Sequence, residues 1–128
     1  PRVRRSISRQ AYYDPVWVTA DAELCAALHL QCPQWQEALI AFTKSGGYNF
    51  LSRRIQNITC PSLVIWGEQD KILGTKDAQR FQNTIPACEL VWVPACGHVP
   101  HLEKPDFTAT TIVQFVQRQR PQTMSCTG

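Results

Sequence analysis

The chain has 128 residues, 44% of them apolar and 9% aromatic, which is the length of one domain, enough for a packed core and too apolar for a disordered segment. The net charge of +3 is mild, and its arginines gather at the ends (Arg2, Arg4, Arg5 and Arg9; Arg118 and Arg120), so they read as frayed, solvated termini and not as a nucleic-acid face. No apolar run approaches the roughly 18 residues of a membrane span, and no signal peptide is recognised, so neither nucleic acid nor membrane is expected as a partner.

In the first half, Asp21 to Leu30 lacks breakers and places Leu24, Ala27 and Leu28 at helical spacing. Pro33 suits the first turn of a second helix, in which Trp35, Leu39 and Phe42 share a stripe. Such a stripe reads first as helix-on-helix packing. Gly46 and Gly47 end that helix. No strand pattern occurs before residue 59.

From residue 59 the pattern alternates. Ser62 to Trp66 is a continuous apolar run, as in a strand buried on both faces, and Gly67 breaks it. Thr75 or Lys76 to Ile85 is a helix, with Ala78, Phe81 and Ile85 at helical spacing and Pro86 to stop it. Glu89 to Val93 is a second apolar strand, closed by Pro94. Pro105 to about Gln119 is a final helix, with Ala109, Ile112, Val113 and Val116 on one face. A helix between two buried strands makes them parallel. Two parallel strands alone do not make a sheet with both faces covered. This half therefore reads as the edge of a larger sheet, and the start at Pro1 as the start of a piece.

The six cysteines show no CxxC pair and no zinc-like spacing, so no metal or cofactor is expected. Cys25 in an apolar helix and Cys60 before a strand read as buried, reduced thiols of a cytoplasmic protein. The informative polar residues follow the strands. Asp70 lies four positions past Trp66, and His98 five past Val93. Loops after parallel strands leave the same sheet edge, where open α/β folds build their sites. A carboxylate beside an imidazole fixes its tautomer and stabilises the imidazolium, so the ring can take a proton from a nucleophile or a water. Glu68 is a nearby alternative acid, His101 a nearby alternative imidazole, and His29 reads as structural.

Cys-Pro-Ser-Leu-Val-Ile-Trp-Gly-Glu-Gln-Asp-Lys-Ile-Leu-Gly, residues 60–74, resembles the acid-bearing strand and loop of the α/β-hydrolase fold. Ile85-Pro86, Leu90 to Val93, Cys96-Gly97-His98-Val99-Pro100 and Leu102 to Pro105 resemble its last strand, histidine loop and last helix. The likeness is specific over about residues 58–118. It implies an α/β chain: the C-terminal part of an α/β-hydrolase sheet, two parallel strands with helices, over residues 59–128. Residues 1–58 more loosely resemble the helical cap and the return to the sheet. Asp70 then matches the triad acid and His98 the general base, in the family's chain order. Trp35, Phe42 and Tyr48 are the candidates for a substrate pocket.

None of the serines (6, 8, 45, 52, 62 and 125) lies in a G-x-S-x-G elbow, nor does any cysteine or aspartate. The expectation is a C-terminal hydrolase fragment, acting in its parent on a small ester, thioester or carbon–carbon substrate, with a Ser or Asp nucleophile outside this chain. The alternative is an inactive, truncated copy serving as an interaction module. No G-x-G-x-x-G or P-loop supports nucleotide binding. Oligomeric state is left open.

Overall fold

Hydrogen bonding between the two apolar runs sets the architecture. The computed structural model describes residues 2–46 and 54–120. Strands β1 (Ser62–Gly67) and β2 (Cys88–Val93) pair in parallel, with Ser62 opposite Cys88 and Gly67 opposite Val93. Between them runs α4 (Lys76–Thr84), which follows helices α1 (Arg2–Ala11), α2 (Ala20–Cys25) and α3 (Trp35–Lys44). After β2 come the short α5 (Pro100–Glu103) and the long α6 (Pro105–Gln119). Helix α4, whose Ala78 is fully buried, packs on both strands; α5 and α6 pack on β1.

The second half follows its apolar periodicity closely, and four features of the chain differ from expectation. Arg2–Ala11 is a helix instead of a frayed end, because Ser8 and Tyr12, one turn apart, are buried against the rest of the chain. The segment expected as one helix over Asp21–Leu30 divides into α2, capped by Thr19, and a 3-10 turn at Leu28–Gln31. No residue of α2 is buried, and short helices persist mainly through packing. The chain then turns at Gln34, in the left-handed region with φ 63°, so Pro33 precedes α3 instead of opening it.

Burial is the fourth difference. The strand residues from Ser62 to Trp66 and from Cys88 to Trp92 are half-buried, not enclosed. On α6, Thr108 is the buried residue, whereas Ile112, Val113 and Val116 are exposed. Leu39 and Phe42 of α3 are also exposed, so their stripe is not a helix-on-helix core. Cys25, Cys32 and Cys60 are exposed free thiols; among the described cysteines only Cys96 is buried. The common cause is width. A two-stranded sheet offers too little surface to cover the apolar faces that its helices carry.

Candidate active site

The acid loop begins where β1 ends. Asp70 Oδ1 accepts the N–H groups of Ile72 at 2.8 Å and Leu73 at 3.0 Å, the turn chemistry expected of an aspartate. The Trp66 indole donates to the Gly74 carbonyl at 2.9 Å, which closes the loop over β1. Gly74 accommodates the turn with a φ of 71°. Oδ2 of Asp70 stays available and faces the second loop.

The histidine loop is laid directly on the first. Val93 O accepts from Glu68 N at 3.1 Å and Cys96 O from Gln69 N at 3.0 Å. The Gln69 side chain returns the bond, accepting the Cys96 N–H at 3.0 Å. The approach is so close that a Cβ on Gly67 would lie 1.9 Å from Gly97 O. Glycine is therefore required at the end of β1.

This stacking brings Asp70 and His98 together. His98 Nδ1 lies 2.9 Å from Asp70 Oδ2. Asp70 is 7% exposed, and the His98 side chain is 34% exposed. Burial alone would push the Asp70 carboxyl up, but the bonds from His98, Leu73 and Ile72 outweigh it, and the net shift is below the ordinary value. An ionised carboxylate only accepts, so Nδ1 of His98 carries the proton and Nε2 is left as the basic nitrogen. A cavity of about 130 Å³ beside the pair is lined by Ile65, Trp66, Leu73 and Pro100 together with Asp70 and His98. A wider groove of about 590 Å³, between Val91 and α6, holds neither residue of the pair.

The other candidates fall elsewhere. Glu68 and His101 are exposed, and the bond to His98 is made by Asp70. Trp35 packs edge-on against His29, with ring centroids 5.9 Å apart, and Phe42 is 38% exposed; neither lines the cavity beside the pair. Tyr48 lies outside the described residues. Among the described residues no group of His, Cys, Asp and Glu side chains is arranged to hold a metal ion, and no helix is long and apolar enough to cross a membrane.

Sequence reasoning missed the groups that support the loops. The sequence pattern assigns no partner to Gln69, marks Glu103 only as part of a motif, and does not connect the segment Ala11–Asp14 to the site. The Ala11 carbonyl accepts the His98 N–H at 2.6 Å. Each of these groups accepts a backbone N–H, most of them from residues distant in sequence, so no spacing rule announces them.

A β-α-β-α unit with a carboxylate–imidazole pair across its two strand-end loops belongs to an α/β fold of the hydrolase type. Residues 1–111 match the alpha/beta hydrolase family, and the chain belongs to that family. It is 35% identical over 88 residues to the alpha/beta hydrolase domain-containing protein VTE7 of Arabidopsis thaliana, a match covering 69% of this chain and 26% of that protein. It is 32% identical over 66 residues to the monoacylglycerol lipase ABHD6 of Homo sapiens, covering 52% of this chain and 20% of the lipase. With the pimeloyl-[acyl-carrier protein] methyl ester esterase of Nitrosospira multiformis the identity is 36% over 69 residues, covering 54% and 26%. The chain thus spans a fifth to a quarter of the length of these relatives. Among solved structures, a meta-cleavage product hydrolase from Pseudomonas fluorescens IP01 superposes with a TM-score of 0.74 at 18% identity, covering 93% of this chain and 46% of that one. That likeness establishes the shared fold.

Proposed function

We propose that this chain is the C-terminal portion of an α/β-hydrolase and supplies the acid, Asp70, and the general base, His98, to a nucleophile carried outside these 128 residues. The observation that carries this reading is the Nδ1–Oδ2 bond of 2.9 Å between a buried carboxylate and a partly exposed imidazole. With Nδ1 engaged, Nε2 takes the proton of the attacking hydroxyl and later returns it to the leaving group, while Asp70 stabilises the imidazolium. In a variant with an aspartate nucleophile, the same nitrogen activates the water that releases the product. The substrate class is a small ester, thioester or carbon–carbon compound. The relatives named as a monoacylglycerol lipase and a methyl ester esterase favour the ester. On the same reading residues 1–58 form the cap and the return to the sheet, and residues 59–128 the core. Trp35, Phe42 and Tyr48 contribute to the substrate pocket once the remaining strands are in place. The setting is cytoplasmic, where surface thiols such as Cys25, Cys32 and Cys60 stay reduced.

Turnover of a nitrophenyl ester tests the reading. The 128-residue chain alone should show none, and Asp70→Asn or His98→Ala should leave that baseline unchanged. Preceded by an upstream segment bearing a nucleophile elbow, it should turn over. Asp70→Asn should then cost about 10⁴-fold, as loss of the acid does in serine triads. Serine-dependent turnover by the chain alone would refute the proposal. So would an inactive joined protein with an intact elbow, which would favour the alternative of a degenerate copy that serves as an interaction module.

A further inference from the structure

An imidazole is only as well placed as the backbone that carries it. Two successive amides of the histidine loop are tied down. The His98 N–H donates to Ala11 O at 2.6 Å, and the Gly97 N–H donates to Glu103 Oε2 at 2.7 Å. Glu103 is the last residue of α5, so its side chain reaches back six residues to its own loop. The same carboxylate accepts the Tyr13 N–H on Oε2 at 3.2 Å and the Asp14 N–H on Oε1 at 2.7 Å. It is 1% exposed, the most buried charged side chain among the described residues. The segment it gathers presses on the loop: a Cβ on Gly97 would stand 2.4 Å from Ala11 O and 2.9 Å from Tyr13 N.

A carboxylate buried this deeply persists only where its oxygens are bonded. Here the donors are backbone N–H groups from two parts of the chain: Gly97 in its own loop, and Tyr13 and Asp14, about ninety residues before Glu103. Glutamine could not replace it, because its amide nitrogen would confront one set of N–H donors with another. Aspartate is shorter by one carbon–carbon bond, about 1.5 Å, and cannot reach both segments.

We propose that Glu103 is a positioning residue for His98: it locks the histidine loop to the Ala11–Asp14 segment and so holds Nδ1 at bonding distance from Asp70. As a contribution to catalysis this rests on the function proposed above. As a statement about placement, it can be tested without turnover. Glu103 acts through the backbone and touches no reacting atom.

The test is nitrogen and proton NMR of the histidine rings in the full chain, compared with Glu103→Gln. The unsubstituted protein should hold His98 as the Nδ1-protonated tautomer, with a protected Nδ1 proton signal. Glu103→Gln should keep the amide signals of β1 and β2 and the ring signals of His29, yet lose the protected His98 signal and mix its tautomers. A folded Glu103→Gln protein with an unchanged His98 signal overturns the proposal. If that variant fails to fold, Glu103→Asp decides in the same way: a displaced His98 signal in a folded protein supports positioning, and an unchanged one overturns it. Loss of the fold in both variants also overturns it, because Glu103 would then serve folding as a whole. If the unsubstituted chain itself lacks the Nδ1 tautomer, the Asp70–His98 pair fails first, which separates failure of the functional reading from failure of this one.

Discussion

Replacing Gly67 by alanine tests how the two site loops are assembled. In a strand of ordinary surroundings, alanine for glycine is neutral or stabilises by about 0.4–1 kcal/mol, through the unfolded state. At Gly67 the added methyl would lie 1.9 Å from Gly97 O and 2.5 Å from Cys96 O. Both are backbone atoms, so no side-chain rotation relieves the overlap. The loops would have to separate by roughly 1.5 Å to reach ordinary van der Waals contact. That separation strains the bonds from Glu68 N to Val93 O and from Gln69 N to Cys96 O, each worth about 1 kcal/mol. Overpacking adds about 1–3 kcal/mol, so the expected loss is about 3–5 kcal/mol. Urea unfolding followed by fluorescence of Trp66 and Trp92 measures it. His98 should at the same time lose its bond to Asp70, since both loops carry the pair. A loss below about 1 kcal/mol, or a wild-type His98 tautomer in the variant, would show that the close approach does not hold the site together.

Three further outcomes follow from the same geometry. The folded-state pKa of Asp70 is depressed, so the stability it contributes is complete above the ordinary value of 3.8 and is lost as the pH falls through the lower folded value; the urea midpoint below about pH 5 should drop less steeply in Asp70→Asn, and identical acid limbs would contradict this. Burial and then the neighbouring Glu103 push the Cys96 thiol up to about 12, so mass spectrometry after brief iodoacetamide treatment should find Cys25, Cys32 and Cys60 alkylated and Cys96 intact in the folded chain. Gln69→Ala leaves the Cys96 N–H without its acceptor and should cost about 1–3 kcal/mol in urea unfolding, whereas Gln79→Ala, on the exposed face of α4, should fall within about 0.5 kcal/mol of the unsubstituted chain.

What could be read from the sequence was local. The runs Ser62–Trp66 and Glu89–Val93 announce strands because continuous apolar residues bounded by Gly67 and Pro94 fit little else at that length. The helix between them makes the strands parallel, and parallel strands send Asp70 and His98 to one edge. The pair was therefore legible before any coordinate, and the structure supplies its bond. Burial was not legible, because it depends on how much sheet stands behind each face. Ile112, Val113 and Val116 have the periodicity of a covered stripe and are exposed on a sheet two strands wide. Nor could spacing show that the arginine-rich start folds as α1 and ends against the histidine loop, or that Glu103 bonds Tyr13 and Asp14. Chain order and periodicity encode which side chains a segment presents. Only the folded chain decides which distant backbone amides come within 3 Å or so of a carboxylate, since those contacts arise from packing between segments with no sequence relation to one another.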